Sequence, residues 1–310
     1  MSIFLFRCIR KLRLHALCYR LLYPFCRSTF GNVEENATAA ARRLAVLHPD
    51  VNSTSLYKNR MMQPFAYDLQ IIIPAYNAGP YIEECIESVL SQRTDFSMLV
   101  TVVNDGSTDD TSGIAHRYES KYPDSVHVID KENGGHGSGI NVAVEQACGK
   151  YFQVVDSDDW VISANMPKLL EALERLQADM VLCHFHMIDM HSGKKQAFRT
   201  EDIPLGTVYS LSDFMKYPQN ARTCCFFHGL IYRTEFYRNT GIHLSEKIFY
   251  EDQEYATLPA YYAETILPLD LFIYQYMVGN SAQSISNENQ VQNMDQIETV
   301  FWNICRFYCS

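Results

Sequence analysis

Several absences bound what this sequence can be. Its 310 residues contain no run of about 18 uncharged apolar residues, the length a membrane-spanning helix needs. Ten cysteines are scattered along the chain without a Cys-x-x-Cys pair or any other zinc-ligand spacing. A disulfide scaffold of this length would be unusual, so they read as reduced, mostly buried thiols of a cytosolic protein. The adjacent pair Cys224-Cys225, in an apolar run, reads as packing. Low-complexity tracts and internal repeats are also missing, and a content of 47% apolar and 20% charged residues is that of a folded protein. Basic residues number 26 against 36 acidic ones, a net charge of −10. That excess of acid excludes a general nucleic-acid binder, which presents a basic domain. The length suits one large α/β domain or two small ones.

Acid is wholly lacking in one place. Met1 to Phe30 carries six basic residues (Arg7, Arg10, Lys11, Arg13, Arg20 and Arg27) and no Asp or Glu. These charges interrupt any apolar core of a signal peptide. Two readings stand: a basic amphipathic helix lying on anionic lipid, at the inner face of the plasma membrane, or a leader helix with a solvated basic face. Residues 31–66 are polar and mixed, with a helix expected from Glu34 to Leu47 and a break at His48-Pro49-Asp50. Residues 1–66 are therefore expected to form a basic, helical appendage and linker.

At Leu69 the pattern changes. Leu69 to Ile73 predicts a buried strand stopped by Pro74, and Gly79-Pro80 opens a helix to about Gln92. Further strands are predicted at Met98–Val103, Val126–Ile129 and Tyr151–Val155, with helices to Tyr122 and from Ile140 to Ala147 between them. Strand alternating with helix predicts a doubly wound, mostly parallel sheet, whose ligands bind beyond the carboxyl ends of the strands. Later elements are predicted at Met166–Gln177 (helix), Met180–Phe185 (strand), His186–Leu205 (hairpin or loop), Phe226–Tyr232 (strand), Tyr250–Ala263 (helix) and Leu271–Tyr276 (strand). The sequence ends inside an aromatic-rich helical pattern without a capping signal, as a truncated or partner-docked end would.

The chemistry-bearing residues fall at the strand ends: Pro74-Ala75-Tyr76-Asn77, Asn104-Asp105-Gly106-Ser107, Lys131 to Gly139, and Asp156-Ser157-Asp158-Asp159. Three carboxylates in four residues repel one another, and a hard divalent cation such as Mg²⁺ or Mn²⁺ would offset them while leaving positions open for phosphate oxygens. Read alone, the same residues suit an acidic turn capping the next helix. Asp105-Gly106 is equally a turn pair or a carboxylate offered to a base edge. Gly135 and Gly137 begin a G-x-G, but Ile140 occupies the sixth position and the loop follows the third strand, so a Rossmann fingerprint is not met. His136 in that loop either packs or points at substrate. Glu251-Asp252-Gln253-Glu254 either caps a helix or offers a general base.

Together these segments resemble the large family-two inverting glycosyltransferases of the GT-A fold. The resemblance rests on Ile73 to Asn77, Val103 to Thr111, Glu132 to Gly135, Val155 to Trp160, Tyr250 to Glu254, and Tyr274-Gln275-Tyr276 through Ser281 to Ser286, in the family's order. The Asn133–Gly139 loop and Tyr151 to Asp156 are similar to a bacterial branch associated with capsule, exopolysaccharide or cell-wall polysaccharide. The resemblance implies a nucleotide-sugar donor, a UDP-sugar, a glycan or lipid-linked acceptor, and Mn²⁺ or Mg²⁺. It implies Pro74, Ala75, Tyr76 and Asn77 at the base and ribose and Asp105 on the base, with Gly106 and Asn133 beside the nucleotide. Asp156 and Asp158 become the DXD acids, Asp158 nearest the metal, and Asp252 the general base. It divides the chain into the appendage 1–66, a transfer domain 67–286 and a helical tail 287–310. In this chain Ile140-Asn141 stands where many members carry Arg-Asn, and no Gln-x-x-Arg-Trp motif occurs, which argues against a processive synthase. Two other classes stay open. A sugar nucleotidyltransferase would need a basic residue in the loop after the first strand, where Ala75 to Gly79 has none. A non-catalytic nucleotide- or partner-binding subunit of a polysaccharide assembly would retain the fold without the chemistry.

Overall fold

The computed structural model describes residues 65–91, 96–200, 203–214, 216–217, 227–279 and 287–309. The basic segment 1–30, the helix expected within 34–47, the pair Cys224-Cys225 and the serines at 281–286 lie outside the described residues. Phe65–Ser310 forms a compact unit of its own.

The strands are β1 (Tyr67–Ala75), β2 (Met98–Asp105), β3 (Val126–Lys131), β4 (Gly149–Val154), β5 (Trp160–Val161), β6 (Met180–Asp189), β7 (Lys195–Phe198), β8 (Leu230–Arg233) and β9 (Ile266–Val278). The helices are α1 (Ile82–Leu90), α2 (Thr111–Lys121), α3 (His136–Glu145), α4 (Met166–Leu176), α5 (Leu211–Phe214), α6 (Thr234–Thr240), α7 (Asp252–Thr257), α8 (Asn287–Gln292) and α9 (Met294–Cys309). All nine strands join one sheet in the order β3-β2-β1-β4-β8-β6-β9-β5, with β7 paired to β6. The first four strands are parallel. The rest is mixed: β8 runs antiparallel to β4 and β6, β5 antiparallel to β9, and β6 parallel to β9.

Period-two side-chain alternation explains the layering. Leu69, Ile71 and Ile73 of β1 join a core with Ile82, Ile86 and Val89 of α1, Ile114 of α2 and Leu169, Leu170 and Leu173 of α4. Ile72, between them in sequence, faces the other way, with Ile140 and Val144 of α3, Phe236 and Tyr237 of α6 and Tyr255 of α7. Helices thus cover both faces, as a doubly wound sheet requires. The chain leaves β1 for β2 and β3 on one side and returns to β4 on the other, so the order reverses at β1. The carboxyl ends of β1 and β4 flank that reversal, where a doubly wound sheet opens its ligand crevice.

Four local expectations are corrected. Pro74 does not stop β1, which continues to Ala75; β4 pairs β1 only as far as Ile72, so no ladder on that side needs a donor from residue 74. Helix α3 begins at His136 rather than Ile140 and takes in Gly137 and Gly139. The helix expected across 250–263 is short: α7 ends at Thr257, and Pro259 opens a separate 3₁₀ turn. Strand β8 begins at Leu230 rather than Phe226, after a turn at His228-Gly229.

The final helix packs on the segment from Ser245 to Glu254. Asn303 of α9 donates to Glu254 Oε1 at 3.1 Å and to Ser245 Oγ at 3.1 Å, and Gln296 Oε1 accepts the amide of Phe249 at 2.8 Å. Among the described residues, no helix is long and apolar enough to cross a membrane.

Candidate active site

The loops after β1 and β2 are knitted into one floor. Asn77 adopts a left-handed backbone (φ 50°). Its amide donates to Ser107 Oγ at 3.0 Å, and its side-chain oxygen accepts the Thr108 amide at 2.8 Å. Ala78 and Gly79 donate to Thr111 Oγ1 and Asp109 Oδ2. Tyr76, at the tip, is 53% exposed, an open aromatic face beside otherwise buried backbone.

Asp105 ends β2 almost fully buried. Lys131 Nζ donates to its Oδ1 at 2.6 Å, and the amides of Gly134 and Gly135 donate to Oδ1 and Oδ2 at 2.9 and 2.7 Å. Asn133 Nδ2 adds a bond to the Asp105 carbonyl at 3.0 Å. Gly106 (φ 72°) passes so close that a Cβ there would come within 2.9 Å of the Asn133 nitrogen. The Asp105 carboxylate therefore fastens the end of β2 to the loop before α3.

That loop is docked in turn on the segment 244–251. Lys247 donates to the Gly134 carbonyl at 2.7 Å. Asn141 exchanges hydrogen bonds with the backbone of Leu244, at 3.0 and 2.9 Å. A Cβ on Gly137 would lie 2.8 Å from Glu251 Cγ and closer still to the Ser245 carbonyl oxygen. His136 opens α3 at this contact: Nδ1 meets Glu251 Oε1 at 2.6 Å and Nε2 meets Asp156 Oδ1 at 3.0 Å. Burial alone would lower the pKa of His136, but the bonds to Asp156 and Glu251 outweigh it and hold the ring well above its ordinary value.

The acidic turn after β4 is held by the far side of the sheet. Two-residue strand β5 pairs with Tyr274 and Gln275 of β9, bringing β9 over the turn. Tyr274 donates its hydroxyl to Asp159 Oδ2 at 2.7 Å and accepts the Asp156 amide at 3.1 Å. The Met277 amide donates to Asp159 Oδ1 at 2.7 Å. Asp159 is fully buried, and burial with the charges of Asp156 and Asp158 pushes its carboxyl well up, against those two donors. Asp156 goes the other way: burial works against ionisation, but His136, and more weakly His228, hold its pKa below the usual carboxylate value.

His228, in the turn before β8, faces the same turn. It stacks on Tyr276 at 3.9 Å between ring centroids, and burial pushes its pKa down to about 4. It is thus neutral at ordinary pH, and its buried Nδ1 has no hydrogen-bond partner among the described residues. Asp156, Asp159 and His228 each bring a ligand atom within 4.8 Å of the others. Two carboxylates and an imidazole brought together in this way have the donor chemistry of a divalent-cation site. Asp252 begins α7 beside Glu251. Burial, and then the Glu251 charge, raise its pKa to about 6, and Gln253 and His136 only partly oppose them.

Residues 70–240, more than half of the chain, match the glycosyl transferase family 2. The chain belongs to that family. The uncharacterized glycosyltransferase EpsJ of Bacillus subtilis (strain 168) is 30% identical to it over 244 residues, 76% of this chain and 70% of that protein. The poly(ribitol-phosphate) beta-N-acetylglucosaminyltransferase TarS of Staphylococcus aureus is 28% identical over 227 residues, 70% of this chain but only 36% of TarS. A crystal structure of TarS residues 1–349 in complex with UDP-GlcNAc superposes with a TM-score of 0.59 at 26% identity, covering 76% of this chain and 67% of that one. A mannosyltransferase from Pyrobaculum calidifontis, solved with GDP-Man and Mn²⁺, shares the fold at 20% identity and a TM-score of 0.54. The sheet is accordingly that of the GT-A class, and the chain is a glycosyltransferase of an inverting family.

For this glycosyltransferase the expected donor-side residues Pro74, Ala75, Tyr76, Asn77, Asp105, Gly106 and Asn133 share one strand-end edge, and Asp156, His136, Glu251 and Asp252 form its other wall. Asn141 does not face that crevice with a free amide: it is buried and committed to Leu244. Asp158 interacts with its neighbours in the turn but is not one of the three residues whose ligand atoms converge; Asp159 is. Reasoning from sequence missed His228, and it named Glu251 only within the acidic run at 251–254, not as a partner of His136. The one signal for His228 was a histidine beside glycine just before a strand, and Gly229 proves to be required, since a Cβ there would strike the Cys183 carbonyl.

Proposed function

We propose that this chain moves a single sugar from a nucleotide-sugar, a UDP-sugar, to a glycan or lipid-linked acceptor in the synthesis of a bacterial surface polysaccharide. The observation that supports the proposal is that the acidic turn after β4, where His228 meets Asp156 and Asp159, lies close enough to Asp252 for their charges to interact, and Asp252, its pKa raised to about 6, suits a base working near neutrality. Pro74, Ala75, Tyr76 and Asn77 would line the base and ribose. Asp105 would reach the base edge with what its bonds to Lys131 and Gly134 leave free, and Gly106 and Asn133 would shape the loop beside it.

In the reaction, Asp252 takes the proton of the acceptor hydroxyl. The acceptor oxygen attacks the anomeric carbon on the face opposite the nucleotide. The bond from that carbon to the phosphate oxygen breaks, its electron pair leaves with the diphosphate, and the anomeric centre inverts. Mg²⁺ or Mn²⁺, held by Asp156, Asp158 and His228, would supply neutralisation of the departing diphosphate. Asp159, already engaged by Tyr274 and Met277, would shape this turn from below.

We assign transfer to residues 67–286 and a backing role to 287–310, and we propose that the basic segment 1–30 rests on anionic lipid. Incubating the full chain with a panel of UDP- and other nucleotide-sugars, Mn²⁺ and glycan or lipid-linked acceptors, and following nucleotide release, tests the first claim. Transfer from a UDP-sugar is expected. No turnover with any donor, together with no metal-dependent UDP binding, would falsify it. Binding to anionic vesicles that survives deletion of residues 1–30 would rule out the lipid role.

A further inference from the structure

His136 touches neither wall by chance of packing. Three independent contacts press the start of α3 onto the segment that carries Asp252: the Lys247 amide on the Gly134 carbonyl, the Asn141–Leu244 pair, and the close approach that only glycine allows at 137. At that contact the imidazole spans from Glu251, buried at its side chain, to Asp156 on the acidic turn. The ring therefore meets a carboxylate at each of its two nitrogens and bridges the two segments directly. Glu251 directly precedes Asp252, which itself opens α7. Apart from this ring, no described hydrogen bond or ion pair joins the acidic turn 156–159 to Glu251 or Asp252.

We propose that His136 is a positioning residue, a strut that fixes the distance between the donor-side turn at Asp156 and the loop carrying the base Asp252. The inference rests on the transferase reading above and deepens it. The strut sets how far the attacking acceptor oxygen, held by Asp252, stands from the anomeric carbon, whose diphosphate is held at Asp156. A misplacement of about 1 Å across such a gap costs on the order of a hundredfold in rate. The strut contributes nothing to holding the nucleotide base, which lies against the β1 and β2 loops.

The test compares His136→Gln, Glu251→Leu, which removes the acceptor, and the double variant in the full chain. Glutamine carries its donors on one nitrogen and cannot bridge two carboxylates on opposite sides. We expect UDP affinity, measured calorimetrically with Mn²⁺, and donor KM to stay within about threefold, while kcat falls about thirtyfold or more in each single variant. The double variant should be no worse than about threefold below the poorer single one, because both break the same strut. Retention of kcat within about threefold in His136→Gln overturns the inference. So does a rise in donor KM with kcat unchanged, which would make His136 a donor ligand, and so do multiplying effects in the double variant. If His136→Gln does not fold, as judged by circular dichroism and thermal unfolding, Glu251→Leu decides by the same criteria. A wild-type protein that transfers nothing from any donor fails the transferase reading itself, an outcome distinct from an active wild type with an equally active His136→Gln.

Discussion

Tyr274 reaches across the sheet to hold Asp159: its hydroxyl donates to Oδ2 at 2.7 Å while accepting the Asp156 amide on its other side. The two residues lie 115 positions apart and meet only because β5 pairs with β9. Tyr274→Phe removes a hydrogen bond to a buried carboxylate and strands the Asp156 amide. The fold should lose about 1.5–3 kcal/mol in urea unfolding, with metal-dependent UDP binding weakened. A variant as stable as wild type would show that the Tyr274 hydroxyl does not hold the turn.

Asp252→Asn preserves shape and removes the proton acceptor. Transfer should drop by about 10²–10⁴ in kcat, with UDP affinity nearly unchanged. Calorimetry and steady-state kinetics on the same preparation separate the two. Near-normal turnover would place the base elsewhere.

The acid limb of kcat should follow the same residue. A base works only when ionised, and burial and Glu251 raise the Asp252 pKa to about 6. Activity should therefore rise with pH through about 6 and level off above it. Below that value Asp252 is protonated and the rate should fall about tenfold per unit. A limb near pH 4 would mean that binding of the acceptor restores an ordinary carboxylate.

His228 brings a ring nitrogen within 4.8 Å of ligand atoms of Asp156 and Asp159. His228→Leu should weaken the Mn²⁺ dependence of UDP binding by about tenfold or more. Titration of Mn²⁺ at fixed UDP measures this, and an unchanged titration would remove His228 from the ligand set.

Gly137→Ala places a methyl group 2.8 Å from Glu251 Cγ and nearer still to the Ser245 carbonyl. Backbone must move to relieve it, at a cost of about 1–3 kcal/mol. Thermal unfolding should shift downward accordingly, whereas helix propensity alone would predict a gain from glycine to alanine.

The parallel half of the fold was legible because each strand, turn and helix carries its own local signature, and the strand ends of β1, β2 and β4 fell where the alternation put them. The second half was less so. The antiparallel pairing of Trp160 and Val161 with β9 leaves no trace in either segment, since it links positions more than a hundred residues apart. The start of α3 was misread because glycines at 137 and 139 lower helix propensity, yet close packing on Ser245 and Glu251 demands the first of them. Asp105 and Asp252 could be singled out from sequence, but not that Lys131, Gly134 and Gly135 already occupy the first. His228 became visible only once β8 and the acidic turn shared an edge.

The docking of α9 redraws the smallest unit that can work. The region shared with the family ends at residue 240, before Asp252, and the segment holding that base is braced from behind by Gln296 and Asn303. A fragment cut at the family boundary would carry the loops after β1 and β2 and the acidic turn, but neither the β9 residues that hold that turn nor Asp252 and its support. A fragment cut before Met294 would keep Asp252 while leaving Glu254 without Asn303 and Phe249 without Gln296. On the proposed reading the donor-side loops fall within 70–240, whereas Asp252 and the side chains that brace its segment extend to Asn303.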